Sequence, residues 1–308
     1  MKLLVVGGTG FLGTYILKRA HELGWITASL STRSPHLHRK VVTTQYFRGD
    51  LLADEDLRSQ ISDFSPDYVV NCAGYVNHSE LSADAQSTMR THFKLTSCLL
   101  DLFSSLSIKR YINVGSSDEY GLSAAPQSEI YAEQPFSTYS LAKSLSTHTV
   151  LARFRLTGFP GLVIRPFLLF GPMQDERRFI PYVIQNCLEG RLFQLGRGDV
   201  ERDFLYITDA VDAIISLLEA PNVSGQVFNL ASGIPVSIST AVDSVRNCLG
   251  GLGQPDYSVS DYRIGQNSCI YADISRITNA IGWTPKTPFL DGIEKTIAYY
   301  KNLSETAR

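Results

Sequence analysis

A hydroxyl, an acid, a phenol and an amine stand close together in VGSSDEYGLSAAPQSEIYAEQPFSTYSLAKS: Ser116, Asp118, Tyr139 and Lys143. Tyr139 and Lys143 are four apart in STYSLAKSLST, a segment of helical composition after the turn at Pro135. On a helix that spacing puts both on one face, about 6 Å apart along the axis. A phenol titrates at about 10 in water, and an adjacent ammonium favours the phenolate, which moves proton exchange with a substrate oxygen toward neutral pH. A serine hydroxyl then holds the same oxygen from another side. Tyr-x-x-x-Lys also occurs by chance on many helices, so the pair gains meaning only with a cofactor site upstream.

The elements before it supply one. KLLVV is a short apolar run that reads as a strand buried on both faces, and it leads directly into Gly7-Gly8-Thr9-Gly10-Phe11-Leu12-Gly13. FLGTYILKRAHELG then carries helical periodicity to a stop at Gly24. Strand, glycine turn and helix are the context of a dinucleotide site. Gly7 makes the tight turn, Gly10 allows close approach of a pyrophosphate, and Gly13 packs helix on strand, with Phe11 and Leu12 beside the phosphate at the helix N-terminus. The spacing is G-x-x-G-x-x-G rather than G-x-G-x-x-G. The next strand, ITASLS, ends at Ser31-Thr32-Arg33-Ser34, where an NAD enzyme usually places a carboxylate. Small hydroxyls and Arg33, with Arg39 or Lys40 as helpers, favour a 2′-phosphate and hence NADP, with NAD as the alternative. Asp50 and Leu51 follow another strand end, where Asp50 accepts from an adenine amine, caps the helix in DEDLRSQISDF, or does both. SPDYVVNCAGYV gives a third strand, ending in Ala73 and Gly74, where backbone passes close under a cofactor.

A long helix from about 84 to 106, the strand KRYINVGSS that delivers Ser116, the Tyr139 helix continuing through 144–156, and a return strand in FPGLVIRPFLLFG complete an alternating pattern. It implies an α/β fold with a doubly wound parallel sheet and ligands at the strand C-termini. From Gly171 the pattern loosens into GPMQDERRFIP and LGRGDVERDF, which reads as a smaller C-terminal α/β substrate domain. The expected division is 1–164 plus 204–233 for dinucleotide binding, and 165–203 plus 234–308 for substrate. Arg165, Arg177, Arg178, Arg197, Arg202 and Arg263 lie in the second part or at its edge, and a subset of such planar guanidinium groups suits a diphosphate.

Composition excludes several alternatives. The chain has 308 residues, 44% hydrophobic and 19% charged, with net charge −2, which fits a soluble globule and neither a nucleic-acid surface nor an anionic membrane as partner. Cys72, Cys98, Cys187, Cys248 and Cys269 are far apart with no C-x-x-C, so neither a disulfide framework nor a zinc site is expected. The apolar start MKLLVV is too short for a signal peptide core, and no later stretch approaches a membrane span, so the expected location is cytoplasmic.

GGTGFLG, Ser116 with Tyr139-x-x-x-Lys143, RPFLLFGP, RDFLYITDAV and IGWTPKTPFLDGIEKTIAYY, in that order, resemble the extended short-chain dehydrogenase/reductase family across essentially the whole chain. The likeness is to its nucleotide-sugar branch of 4,6-dehydratases, 4-epimerases and 4-keto-6-deoxyhexose reductases, on a Rossmann-type sheet. The resemblance implies that Tyr139 is the acid/base and that Lys143 orients it and binds the nicotinamide ribose. Ser116 would bind the reacting oxygen, and Arg202 and Arg263 would grip the diphosphate, with Ser117 and Arg178 as further substrate contacts. VGSSDEYG resembles GDP-4-keto-6-deoxymannose reductases, and Asp118 falls where dehydratases of the family keep a glutamate. Two positions depart from the pattern: Leu168 and His92 stand where relatives commonly carry Asn, and His92 reads as a helix-packing residue.

The leading expectation is therefore an NADPH-dependent reductase of a nucleoside-diphosphate 4-keto-6-deoxy sugar. The alternative is a 4-epimerase or 4,6-dehydratase that recycles its cofactor, and a third, different in kind, is a non-catalytic nucleotide sensor. The 84–106 and Tyr139 helices are expected to form a homodimer interface, as in the family resembled.

Overall fold

Every residue of KLLVV after Lys2 is buried, and alternate residues enter opposite cores: Leu3 and Val5 one, Leu4 and Val6 the other. A strand with both faces covered needs helices on each side, and the sequence supplies them in alternation. The computed structural model describes residues 1–74, 85–258 and 267–306. Its first part runs β1 (Lys2–Val6), α1 (Phe11–Glu22), β2 (Ile26–Ser31), β3 (Gln45–Arg48), α2 (Glu55–Phe64), β4 (Tyr68–Asn71), α3 (Ala85–Met89), a π-helical turn (Arg90–Lys94), α4 (Leu95–Ser104), β5 (Arg110–Val114), α5 (Thr138–Thr157) and β6 (Gly161–Pro166). It continues through β7 (Leu168–Phe170), α6 (Phe179–Leu188), β8 (Leu192–Gln194), β9 (Glu201–Tyr206), α7 (Ile207–Glu219), β10 (Val227–Leu230), β11 (Pro235–Ser237), α8 (Ile238–Cys248), β12 (Gln254–Asp256), β13 (Cys269–Ile270), α9 (Ser275–Ile281) and α10 (Phe289–Thr306).

Seven strands form one parallel sheet in the order β10-β6-β5-β4-β1-β2-β3, the doubly wound arrangement expected. Ile16, Leu17 and Ala20 of α1, with Val211, Ile214 and Leu218 of α7, cover one face; Leu57 and Ile61 of α2, with Leu99, Leu100 and Phe103 of α4, cover the other. The winding reverses between β1 and β4, which opens a crevice at their C-terminal ends. Gly7, Ala73 and Ser116 all lie just past strand ends at that edge.

The later segments build a smaller sheet, β11-β9-β13 with β7 beside β9, and a β8–β12 pair. Phe170, Phe204 and Tyr206 of this sheet pack with Val183 and Ile184 of α6, Val242 of α8 and Ile297 of α10 in a third core. The chain then returns, because α7 follows β9 directly yet packs on the large sheet. The segment after α9 docks on α7: the Asp209 carboxylate accepts Lys286 N at 3.0 Å and Thr287 N at 2.7 Å, and Trp283 Nε1 donates to Asp209 O at 3.1 Å.

Two local expectations are corrected. The helix expected over 84–106 is interrupted by the π-turn at Arg90–Lys94, and its residue 84 lies outside the described residues. Within that turn the His92 carbonyl accepts Thr96 Oγ1 at 2.7 Å and lies 2.9 Å from Ser146 Oγ of α5. Asp50 does not cap α2. Asp54 does, accepting Leu57 N at 2.9 Å, while Asp50 pairs with Arg90 at 2.6 Å.

Candidate active site

Ser116 follows β5 and caps a single 3-10 turn over Ser117–Tyr120. Its Oγ accepts Asp118 N at 3.1 Å, and its own N donates to Glu119 Oε1 at 2.8 Å. Tyr139 lies in the first turn of α5, fixed by a reciprocal cap in which Ser137 Oγ accepts Ser140 N at 3.1 Å and Ser140 Oγ accepts Ser137 N at 3.0 Å. One turn on, Lys143 Nζ donates to Val114 O at 2.7 Å, tying α5 to the end of β5. The Tyr139 and Ser116 side chains are hydrogen-bonded, and Lys143 Nζ sits 5.9 Å from the Tyr139 ring centroid. All three residues are buried. The sheet edge and one helix thus bring together groups that the sequence separates by more than twenty positions.

The electrostatics depart from the simple expectation. Burial pushes the Tyr139 phenol up, and the Asp118 charge adds to this, against the Ser116 hydrogen bond and the Arg178 charge. Burial brings the Lys143 amine down to about 8, against the attraction of Glu119, Cys72 and Asp118. The ammonium therefore does not pull the phenol down as spacing alone predicts. Its Nζ is committed to the Val114 carbonyl, and desolvation dominates both groups. His92 packs edge-on against Tyr139, ring centroids 5.1 Å apart, and lies under Gly74, where an added Cβ would come within 2.0 Å of its ring. It is a packing histidine, as read from sequence, and it sets the floor on which Tyr139 rests.

The glycine turn is built as its spacing predicts. Gly7 has φ +83°, and a Cβ there would meet Ala73 Cα at 2.8 Å. At Gly13 a Cβ would lie 2.4 Å from Gly7 O, so α1 sits directly on the turn. Gly10 is the N-cap of α1, and a Cβ on it would have only Gly7 O in contact, at 3.2 Å. α1 has no side-chain cap and no acid in its first turn, so its terminal N–H groups and dipole suit an anion. These residues fit a dinucleotide pyrophosphate. Phe11 stacks edge-on with Tyr15, and Leu12 joins two cores. The Leu51 side chain is buried with α2, while Ala73 N is bound to Asn71 Oδ1 at 3.3 Å. Arg33 is exposed beyond β2. Arg39, its supposed helper, instead donates to Met173 O across the molecule.

The arginines divide sharply. Arg178 is exposed at the N-cap of α6, with its charge facing Tyr139. Arg202 donates to Glu201 O at 2.7 Å and Asn267 O at 3.2 Å and lies within the field of Asp118. Ser117 and Asp118 are half-buried beside them. Arg177 and Arg197 are exposed and pair with Asp175 and Asp199. Arg165 is no anion grip: it is 1% exposed and ion-paired to Glu119 and Glu133. Arg263 lies outside the described residues. Leu168 is 43% exposed at the start of β7. Sequence reasoning missed Glu119 and Glu133; the only signal was the acidic doublet after Ser116, whose two members go opposite ways. No group of metal-ligating side chains occurs among the described residues, and none of their helices is long and apolar enough to cross a membrane.

With this geometry in view, comparison with known proteins gives consistent results. A sequence model described as the NAD dependent epimerase/dehydratase family matches residues 3–231. The UDP-glucose 4-epimerase of Mycolicibacterium smegmatis is 24% identical over 99% of this chain and 100% of its own length. A dTDP-glucose 4,6-dehydratase of Streptomyces niveus is 25% identical over 98% and 93%. Among solved structures, UDP-glucuronic acid 4-epimerase from Bacillus cereus, in complex with UDP-glucuronic acid and NAD, superposes with a TM-score of 0.90 at 23% identity, covering 98% of this chain and 100% of that one.

Proposed function

Because the chain belongs to the NAD dependent epimerase/dehydratase family, we propose that it is a nucleotide-sugar 4-epimerase, taking hydride from C4 of a nucleoside-diphosphate hexose and returning it to the other face. The observation that carries this reading is the hydrogen-bonded Ser116–Tyr139 pair over Lys143, with Asp118 half-buried beside it and Glu119 held in an ion pair with Arg165. Ionised as the phenolate, Tyr139 takes the C4 hydroxyl proton at its oxygen and becomes the neutral phenol, and Ser116 holds the same substrate oxygen. The Lys143 ammonium offsets the negative charge that develops. After the sugar turns within the site, Tyr139 returns the proton. A bound NAD supplies the hydride acceptor and donor, and the Gly7–Gly13 turn would hold its pyrophosphate. NAD is preferred to NADP because the dinucleotide in the Bacillus cereus complex is NAD and because Arg39 is turned away from Arg33. Arg178 and Arg202 are assigned to the substrate diphosphate, with Arg263 as a further candidate and Ser117 beside the sugar.

The recycled-cofactor alternative displaces the net reduction expected from VGSSDEYG, since none of the relatives named above is described as a reductase. A second reading, 4,6-dehydration, is favoured by Asp118, an acid beside Tyr139 that suits proton transfer at C5 or C6. Elimination also needs a second acid or base, and Glu119 is locked in its ion pair with Arg165. Intact Tyr139 and Lys143 argue against a mere sensor. The deciding experiment incubates the purified chain with UDP-glucose, UDP-glucuronic acid and dTDP-glucose and reads the sugar by proton NMR. Inversion at C4 without cofactor consumption is expected. A 4-keto-6-deoxy product would give the second reading, and stoichiometric oxidation of added NADPH would restore the reductase. We further propose a homodimer through the segment 85–104 and α5, whose Leu141 is 45% exposed; a monomer in sedimentation velocity would remove it.

A further inference from the structure

Asp118 and Glu119 are adjacent in sequence and opposite in fate. Asp118 stays half-buried by Tyr139, whereas Glu119 turns inward and is fully buried, a placement that charged residues accept only when paired. Its oxygens are filled. Oε1 accepts Ser116 N at 2.8 Å; Oε2 accepts Thr147 Oγ1 at 2.8 Å and Arg165 Nε at 2.9 Å. Arg165 lies 4.5 Å over the Tyr120 ring and also pairs with Glu133, which in turn binds Ser144 and His148 of α5. The carboxylate thus joins three separate pieces of chain: the turn carrying Ser116, the helix carrying Tyr139 and Lys143, and the end of β6.

We propose that Glu119 is a positioning residue, fixing Ser116 against Tyr139 and Lys143 through its bonds to the Ser116 backbone, Thr147 and Arg165. This rests on the reading of Ser116, Tyr139 and Lys143 as the reacting groups. Lys143 is faced by Asp118 and Glu119 from the turn after β5, by Cys72 from beyond β4 and by Tyr139 from its own helix. Of the groups whose charge favours the ammonium, Glu119 contributes most. Burial pushes the Glu119 carboxyl up and the Glu133 charge adds to this, against the Arg165 charge and the hydrogen bonds from Thr147 and Ser116 N that favour the carboxylate. Removing that charge therefore makes Lys143 easier to deprotonate.

The test compares Glu119→Gln with Thr147→Val, which takes away one hydrogen bond and leaves the charge. In the chain alone, the Lys143 Cε resonance, assigned with Lys143→Arg in lysine-labelled protein, is followed against pH by carbon NMR. The Lys143 midpoint is expected to fall by about one pH unit in Glu119→Gln and to stay in place in Thr147→Val. In turnover, Glu119→Gln is expected to lower kcat by about 10- to 100-fold with little change in KM, since the diphosphate grips lie elsewhere. If the uncompensated Arg165 prevents folding, Glu119→Gln with Arg165→Met removes both charges and carries the same expectation. A folded variant that loses thermal stability while the Lys143 midpoint and kcat stay put would overturn the proposal, as would an equal midpoint shift in Thr147→Val. The titration needs no substrate, so absence of 4-epimerase turnover in the unaltered chain would refute that activity and leave this result standing.

Discussion

Tyr139 and Lys143 carry opposite penalties of burial, and each gives a prediction. Tyr139→Phe keeps the ring against His92 and loses only the phenol oxygen, so kcat is expected to fall about 10²- to 10⁴-fold with an unchanged thermal midpoint. Lys143 has its ordinary value lowered to about 8, so the rate should decline as pH rises through that value and the ammonium is lost. Stability moves the other way. Between about 8 and the unfolded value of 10.5 the unfolded chain binds more protons, so the cost of burying Lys143 is full below 8 and fades toward 10.5. Lys143→Met should therefore abolish turnover while gaining up to about 3 kcal/mol at pH 7, a gain that calorimetry should see vanish near pH 10.5. Ser116, Tyr139 and Lys143 were legible because residue type and helical spacing survive in one dimension. The direction of the Tyr139 shift was not, because it depends on how many neighbours displace water, and Glu119 was not singled out because its partner Arg165 lies on β6, forty-six positions away.

Short elements with strict backbone demands were the most readable. The turn from β1 into α1 needs glycine where a Cβ would strike Ala73 or Gly7, and that demand is written directly as Gly7 and Gly13. Gly13→Ala puts a methyl 2.4 Å from Gly7 O, so α1 must shift; about 1–3 kcal/mol of stability should be lost in urea titration, together with dinucleotide affinity by calorimetric titration. An unshifted urea midpoint would show that the helix tolerates the displacement. The helix over 85–104 was less readable. Its π-turn meets the Ser146 hydroxyl of α5, a neighbour more than fifty residues away that no local periodicity can announce. Asp50 and Asp54 were confused for a similar reason. Either acid satisfies the N-cap preference, and only the Arg90 pairing shows that Asp50 is occupied.

At the scale of the molecule, alternation of strands and helices announced the parallel sheet, because buried strands and amphipathic helices must layer in one of few ways. The smaller sheet was seen only as a loosening of pattern, since β7, β8, β11 and β12 are three residues each and too short to show a period. Asp209 is where the two meet. Its carboxylate accepts Lys286 N, Thr287 N and Thr287 Oγ1, so Asp209→Ala should cost about 3 kcal/mol or more and lower the thermal midpoint. An unchanged midpoint would mean that water replaces those contacts. The same docking bears on modularity. The family match ends at residue 231, inside the loop after β10, yet the strap that secures α7 is encoded near residue 286. A fragment cut at 231 would keep every residue of the glycine turn and of the Ser116–Tyr139–Lys143 cluster and still lack the fastening of the helix beneath them. The glycine turn and the Ser116–Tyr139–Lys143 cluster thus lie within a shorter length of chain than the docking of α7 requires, and recombining that length with a foreign C-terminal half is expected to succeed only if that half brings its own strap.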